Sequence, residues 1–357
     1  MRRIAIIILI LTSSAMALRA QSIADYAGEF LELGVGARSL ALGGAAAAIT
    51  NDATAGYWNP AALDVLKYPS VTAMHESLFD GTVQYNYAAL AFPIDARHTA
   101  AISVFNIGVN DILDTRNALV DLDNTGQLTP NNYLDYTKVT TFGNYDWVAI
   151  LSFAGEIGGT GGVLWPTTAA GQSLSWGVNA KLIYRRLDPQ TTGTGLGFDF
   201  AARYHLSDNL TLAAVGQDLT TTLLSYSDGT KELVSPTIKL GGAYIYNITS
   251  DGVHKILATS DIDLRFENRG DGSAQVYVGP ASADFHEGIE YQFKDLFSIR
   301  AGYNDLQMWS AGVGVTIGKL HIDYAYLGAN AQDQLGSTNA ISLSFALENP
   351  KWKRAGE

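Results

Sequence analysis

The chain has 357 residues, 47% of them hydrophobic and only 16% charged, with 36 glycines and no cysteine. Soluble domains carry about 25% charged residues, yet the mean hydropathy of +0.06 is too low for a bundle of membrane helices, so soluble helical and helical membrane classes both fit poorly. Without cysteine there is no disulfide framework, thiolate zinc site or Cys nucleophile, and a net charge of −12 disfavours nucleic acid as a partner.

Arg2 and Arg3 precede an apolar run from Ile4 to Leu11, which fades through Thr12, Ser13 and Ser14 into Ala15, Ala17 and Ala20. That order of charged, apolar and small residues reads as a secretory signal peptide, and the run is too short to span a bilayer. Cleavage fits after Ala17 or after Ala20; the second sets the signal peptide at residues 1–20. Its removal takes Arg2, Arg3 and Arg19 and no acid, leaving the exported chain more acidic still. A core helix is the alternative reading of this segment.

Residues 21–66 show no period of two. Gly34, Gly36, Gly43 and Gly44 permit backbone conformations closed to other residues, and Pro60 fixes a bend after Asn59. Small residues dominate, with few charges, among them Glu29, Glu32, Arg38 and Asp52. Such a stretch, lying before the first strand, is suited to folding back into a barrel lumen as a hatch.

From residue 71 onward the recurring pattern is alternation. In Lys319–Leu327, Leu320, Ile322, Tyr324 and Tyr326 oppose Lys319, His321, Asp323 and Ala325, which is a strand between two different solvents. The same split predicts strands at 71–79, 82–93, 99–107, 146–155, 173–186, 195–206, 210–219, 236–248, 254–266, 283–293, 296–304, 308–318, 319–328 and 338–347. Most have the length that crosses a bilayer when tilted, and fourteen is an even number, as an antiparallel barrel with both ends on one side requires. The expected fold is therefore all-β, a transmembrane antiparallel β-barrel of about 14 strands with an N-terminal hatch, the barrel occupying 67–347. Turns at 205–209, 292–296 and 317–320 then fall on the periplasmic side and longer loops at 108–145, 220–235, 267–282 and 329–337 outside. The long Gly-rich stretch 155–171 falls on the periplasmic side and breaks that rule.

A soluble β-sandwich would also alternate, but the side chains argue otherwise. Tyr85, Tyr87, Trp147, Trp176, Tyr184, Tyr204, Tyr244, Tyr246, Tyr291, Tyr303, Trp309, Tyr324 and Tyr326 are placed mostly toward strand ends on the apolar face, as interfacial girdles are. The opposite faces carry Lys181, Arg185, Asp199, Arg203, Lys239, Asp261, Asp263, Arg265, Glu290, Arg300 and Asp323, charges that could share a dry core only with extensive pairing. Of these, Lys181, Arg203, Asp261, Asp263, Arg265, Glu290, Arg300 and Asp323 are the candidate lumenal residues. Phe345 stands where a final strand's terminal aromatic would be, and Pro350, which cannot continue a ladder, opens a periplasmic tail at 348–357.

Gly36–Ala45, followed by Asn51–Ala55 and Trp58–Ala61, resembles the N-terminal signature of the PorV/PorQ family within the FadL-like group of outer-membrane proteins. The resemblance implies a fourteen-stranded barrel with a lumenal hatch, exported to the outer membrane of a Gram-negative type cell. Asn59 and Pro60 match the group's hatch motif, joined by Gly43, Gly44 and Asp52. In FadL-like transporters the hatch gates hydrophobic compounds such as long-chain fatty acids. PorV and PorQ members are components of the type IX secretion machinery, with a translocon or secreted cargo as partner. Both readings stand: secretion component first, hydrophobic uptake as the alternative. Uptake calls for an apolar pocket beside the hatch, which Phe30, Leu31, Leu33, Leu40 and Leu42 could line; secretion calls for a docking surface on the outer loops.

Nothing points to an enzyme, a metal or a cofactor. The histidines at 75, 98, 205, 254, 286 and 321 have no metal-binding spacing, and those in clear strands, His205, His286 and His321, face the lumen rather than a lipid-side serine. Gly193–Gly197 lacks the spacing of a dinucleotide loop. Asp121, Asp123 and Gly126 open like a calcium loop, but Asn132 stands where the bidentate Glu belongs. Asp261 and Asp263 share a face with Arg265, the pattern of a salt-bridge ladder.

Overall fold

In the computed structural model, the structure describes residues 28–122, 124–127, 129–157, 173–266, 274–328 and 336–355. The predicted signal peptide, Asp123, most of the Gly-rich stretch and parts of the loops at 267–282 and 329–337 lie outside the described residues. Fourteen antiparallel strands form one closed barrel: β1 Ser70–Leu78, β2 Val83–Pro93, β3 His98–Asp114, β4 Thr140–Ile157, β5 Ser173–Arg186, β6 Thr192–His205, β7 Leu210–Gln217 with its continuation Thr222–Tyr226, β8 Lys231–Val234 with Thr237–Asn247, β9 His254–Arg265, β10 Ala281–Phe293, β11 Phe297–Tyr303, β12 Trp309–Ile317, β13 Leu320–Leu327 and β14 Thr338–Ala346. Each pairs with its neighbours in sequence, and β1 pairs with β14 from Ser70↔Ala346 to Ser77↔Asn339, which closes the ring.

Burial follows the alternation. Val71, Leu90, Ile102, Leu151, Leu182, Phe200, Leu240, Ile299, Val313 and Leu343 are exposed on the outer face, an apolar band whose natural solvent is lipid. All fourteen predicted strands are present.

Three departures have physical causes. First, β3 and β4 run to 17 and 18 residues, past the expected 99–107 and 146–155. Their ladder continues around a register shift between Val109 and Ile112, with Asp111 at φ 57°; polar residues on both faces there erase the alternation. Second, the expected outer loop 220–235 is mostly strand. β7 breaks at 218–221 and β8 at 235–236, where Pro236 cannot donate to the ladder, and the two continuations pair as Thr222↔Val234 through Ser225↔Lys231. Third, Tyr85 and Tyr87, expected on the lipid face, point inward with 0% and 3% exposure. Register decides this, since they sit opposite the inward Glu76 and Met74 of β1.

The turn between β2 and β3 is closed by Asp95, which accepts the backbone N–H groups of Arg97 and His98 at 2.7 and 2.9 Å. Chiefly through the Arg97 bond, its carboxyl is held down at about 2. After β14 the chain does not trail away: Arg354 is buried, donating to Leu66 O at 2.9 Å and Thr99 Oγ1 at 2.6 Å.

Candidate functional site

The barrel interior is filled by residues 28–66. Two short helices, α1 Ala37–Ala41 and α2 Ala55–Trp58, and two 3₁₀ turns, Glu29–Leu31 and Pro60–Val65, are joined by glycine bends. So little regular structure leaves many backbone groups without internal partners, and inward wall side chains supply them. Ser342 Oγ accepts from Ala37 N at 3.1 Å, Asp261 from Ala47 N at 2.8 Å, Thr259 donates to Ala45 O at 3.0 Å, Asn179 to Gly56 O at 2.9 Å, and His286 Nδ1 to Gly43 O at 2.8 Å. Arg203 donates to Ala48 O at 3.2 Å and Thr50 O at 3.4 Å.

Asn59 and Pro60 have a local task. The Asn59 side chain caps the 3₁₀ turn by accepting from Ala61 N at 3.0 Å, Pro60 opens that turn with its preset φ, and Asn59 Nδ2 donates to Ala47 O at 2.7 Å. Asp52 accepts from Thr54 N at 2.9 Å and from Ser344 Oγ at 3.0 Å. Gly43 and Gly44 have φ of 68° and 80° and lie against Tyr303 and His286. The five motif residues thus touch different walls and do not form one cluster.

A Cβ on Gly43 would stand 2.3 Å from Tyr303 O, closer than backbone atoms permit. Gly229, at φ +90° with nothing within 4 Å, isolates the cost of the left-handed backbone alone, about 1–2 kcal/mol. Gly43→Ala is expected to destabilise the folded barrel by more than Gly229→Ala, measured as the temperature at which the compact band on an unheated gel converts to the unfolded one.

The eight candidate lumenal charges are all buried, and they fall into separate groups. Arg300 binds Glu290 and, at 2.7 Å, Asp323, while Arg38 of α1 reaches Glu290 at 2.9 Å. Asp263 binds Lys239, and Arg265 binds Asp284, with Glu32 at 2.9 Å. Lys181 lies between Asp199 at 2.8 Å and Asp218 at 2.6 Å. Arg203 stands apart with Asp64 at 3.9 Å. Asp218 reaches the lumen because β7 breaks there, with Asp218 at φ 53° and Thr221 at φ 59°.

Arg38, Glu32, Asp218 and Glu76 belong to this interior, although the strand pattern did not single them out as candidates. Of these, Glu76 carried a sequence signal, as a carboxylate alternating with the outward residues of β1; Asp218 carried none, since a strand break has no period.

The apolar residues Phe30, Leu31, Leu40 and Leu42 pack with Val35, Trp58 and Leu63 in one buried cluster instead of lining an open bore. Among the described residues a cavity of about 20 Å³ lies between Leu31, Glu32 and Tyr57 on one side and Phe105, Lys181, Asp199 and Asp218 on the other. That is room for about one water. In the outer loop, Asp121 is already used within its own turn, accepting from Thr125 N at 3.1 Å and Gly126 N at 2.7 Å.

No family model matches the chain, and no curated protein matches it in sequence. Solved structures do match. The P. putida toluene transporter TodX superposes with a TM-score of 0.57 at 12% identity, over 88% of this chain and 99% of that one. The Ralstonia pickettii toluene transporter TbuX superposes with a TM-score of 0.53 at 12% identity, over 88% and 99%. At this identity the likeness establishes architecture: the chain is a closed fourteen-stranded antiparallel barrel with the fold of FadL-like outer-membrane barrels.

Proposed function

We propose that this chain is an outer-membrane channel for hydrophobic small molecules in which residues 21–66 act as the hatch. The observation that carries the reading is the small cavity walled by Leu31, Tyr57, Phe105, Ile150 and Val234, set where the interior segment meets the barrel wall. The segment itself is joined to that wall by hydrogen bonds and ion pairs, contacts that can be exchanged for water. Support for a hydrophobic substrate comes from the fold shared with two toluene transporters, and this moves the secretion role expected from the motif to second place. Passage requires the hatch to rearrange, because a one-water cavity is too small for an aromatic ring.

The test is accumulation of labelled toluene and a labelled long-chain fatty acid by intact Gram-negative cells expressing the chain. Faster accumulation of either than in cells without it is expected; equal rates for both would overturn the reading. The secretion reading draws on the exposed Leu122, Tyr133 and Tyr136 of the segment between β3 and β4, and a large protein co-purifying from native membranes would favour it.

A further inference from the structure

The segment after β14 forms a small surface of its own at the barrel rim. Leu347 N donates to Pro69 O at 2.8 Å and Arg354 N to Lys67 O at 2.8 Å, so the tail is pinned twice beside the entry to β1. Between those two points residues 348–353 make a loop whose shape is set locally. Asn349 accepts from Lys351 N at 2.9 Å, and Pro350 opens the 3₁₀ turn Pro350–Trp352. Arg354 turns inward to Leu66 O and Thr99 Oγ1, whereas Lys351, Trp352 and Lys353 stay exposed.

Two features of the loop point to the same neighbour. Trp352 is 45% exposed, and the strand ends at this rim carry Val71, Phe92 and Phe345 on the outer face, with Ile94 in the turn after β2, all exposed. The indole thus continues the apolar band to its edge, the level at which tryptophan is favoured because its ring is apolar and its N–H is wet. The second feature is charge. Glu348, the acid of the described tail, is engaged by Lys319 Nζ of the β12–β13 turn at 3.2 Å. Lys351 and Lys353 lie beyond that pair, so the loop is basic in a chain whose net charge is −12.

We propose that Lys351, Trp352 and Lys353 bind the headgroup of an anionic phospholipid in the leaflet at this end of the barrel. The indole sits at the boundary between acyl chain and headgroup, and the two ammonium groups meet the phosphate as charge-assisted donors. A zwitterionic lipid offers the same phosphate, but its own cation competes with the lysines, so the loop favours net negative charge. The site belongs to the barrel's lipid contacts and is independent of what the channel passes.

The experiment is native mass spectrometry of the full chain released from detergent micelles containing equal amounts of phosphatidylglycerol and phosphatidylcholine. The parent chain is expected to retain phosphatidylglycerol about 5-fold or more over phosphatidylcholine, the factor one lysine contributes near an anionic surface. Lys351→Gln combined with Lys353→Gln should bring that ratio near one, and Trp352→Ala should lower retention of both lipids. Lys255→Gln combined with Lys294→Gln, at the start of β9 and the end of β10 on the same rim, is the control and should keep the parent ratio. The ratio in the parent chain needs no variant and stands if one fails to fold. Equal retention of the two lipids by the parent, or a preference that survives the change at Lys351 and Lys353, overturns the proposal. A preference lost equally in the control overturns it as well, and a protein shed by that variant with lipid retention unchanged overturns it in favour of a protein partner.

Discussion

Glu290→Ala is expected to destabilise the barrel by about 3–5 kcal/mol, the range for breaking a buried ion pair from one side. Glu290 is fully buried and accepts from Arg38 Nε at 3.0 Å, Arg38 Nη2 at 2.9 Å, Arg300 and Gln292 Nε2 at 2.7 Å. Removing it strands two guanidinium groups, one on the wall and one on the interior segment, with a single carboxylate, Asp323, left for Arg300. Glu290→Gln keeps an acceptor oxygen without the charge and should fall between the two. Asp95→Ala, which loses its turn hydrogen bonds at an exposed site, should cost less than Glu290→Ala. The measurement is the temperature at which the compact gel band of each variant converts to the unfolded one; equal values for Glu290→Ala and the parent chain would show that the lumenal network contributes nothing.

Asn59→Ala has the second large effect, through two backbone groups at once. Ala61 N and Ala47 O both lose their partner in a position with 0% exposure at Asn59. Each buried group left unsatisfied costs about 1–3 kcal/mol, which falls on the seating of the interior segment and not on the barrel ladder. The variant is therefore expected to keep its compact band yet to swell liposomes in small hydrophilic sugars faster than the parent protein. Pro60→Ala removes only a preset φ and should act in the same direction more weakly. Unchanged swelling in Asn59→Ala would count against gating by this segment.

The barrel was legible because its strands separate two solvents. A residue such as Leu320 or Ile322 cannot trade faces with Asp323 without exposing a charge to lipid, so period and register are both written into the chain. Where that contrast fades, reading fails. Beyond the apolar band β3 and β4 continue with polar residues on both faces, and Asp218 leaves the ladder without any periodic trace. Tyr85 and Tyr87 were placed outside because a tyrosine suits a lipid interface and a packed interior equally well; only pairing with β1 separates the two. The interior charges were visible as a set, whereas their partners were not: Arg38 and Glu290 are 252 positions apart, and no local pattern joins them.

The seam between β1 and β14 has a kinetic consequence. The interior segment runs directly into β1, and the segment after β14 returns to grip Lys67 O at 2.8 Å, Leu66 O and, through Thr99, the wall of β3. Contacts such as Ala37–Ser342, 305 residues apart, close the longest loops in the chain, and their ordering entropy is met only when both edges are present. Closure of the seam and seating of the interior segment therefore depend on one another, since each supplies contacts that the other needs.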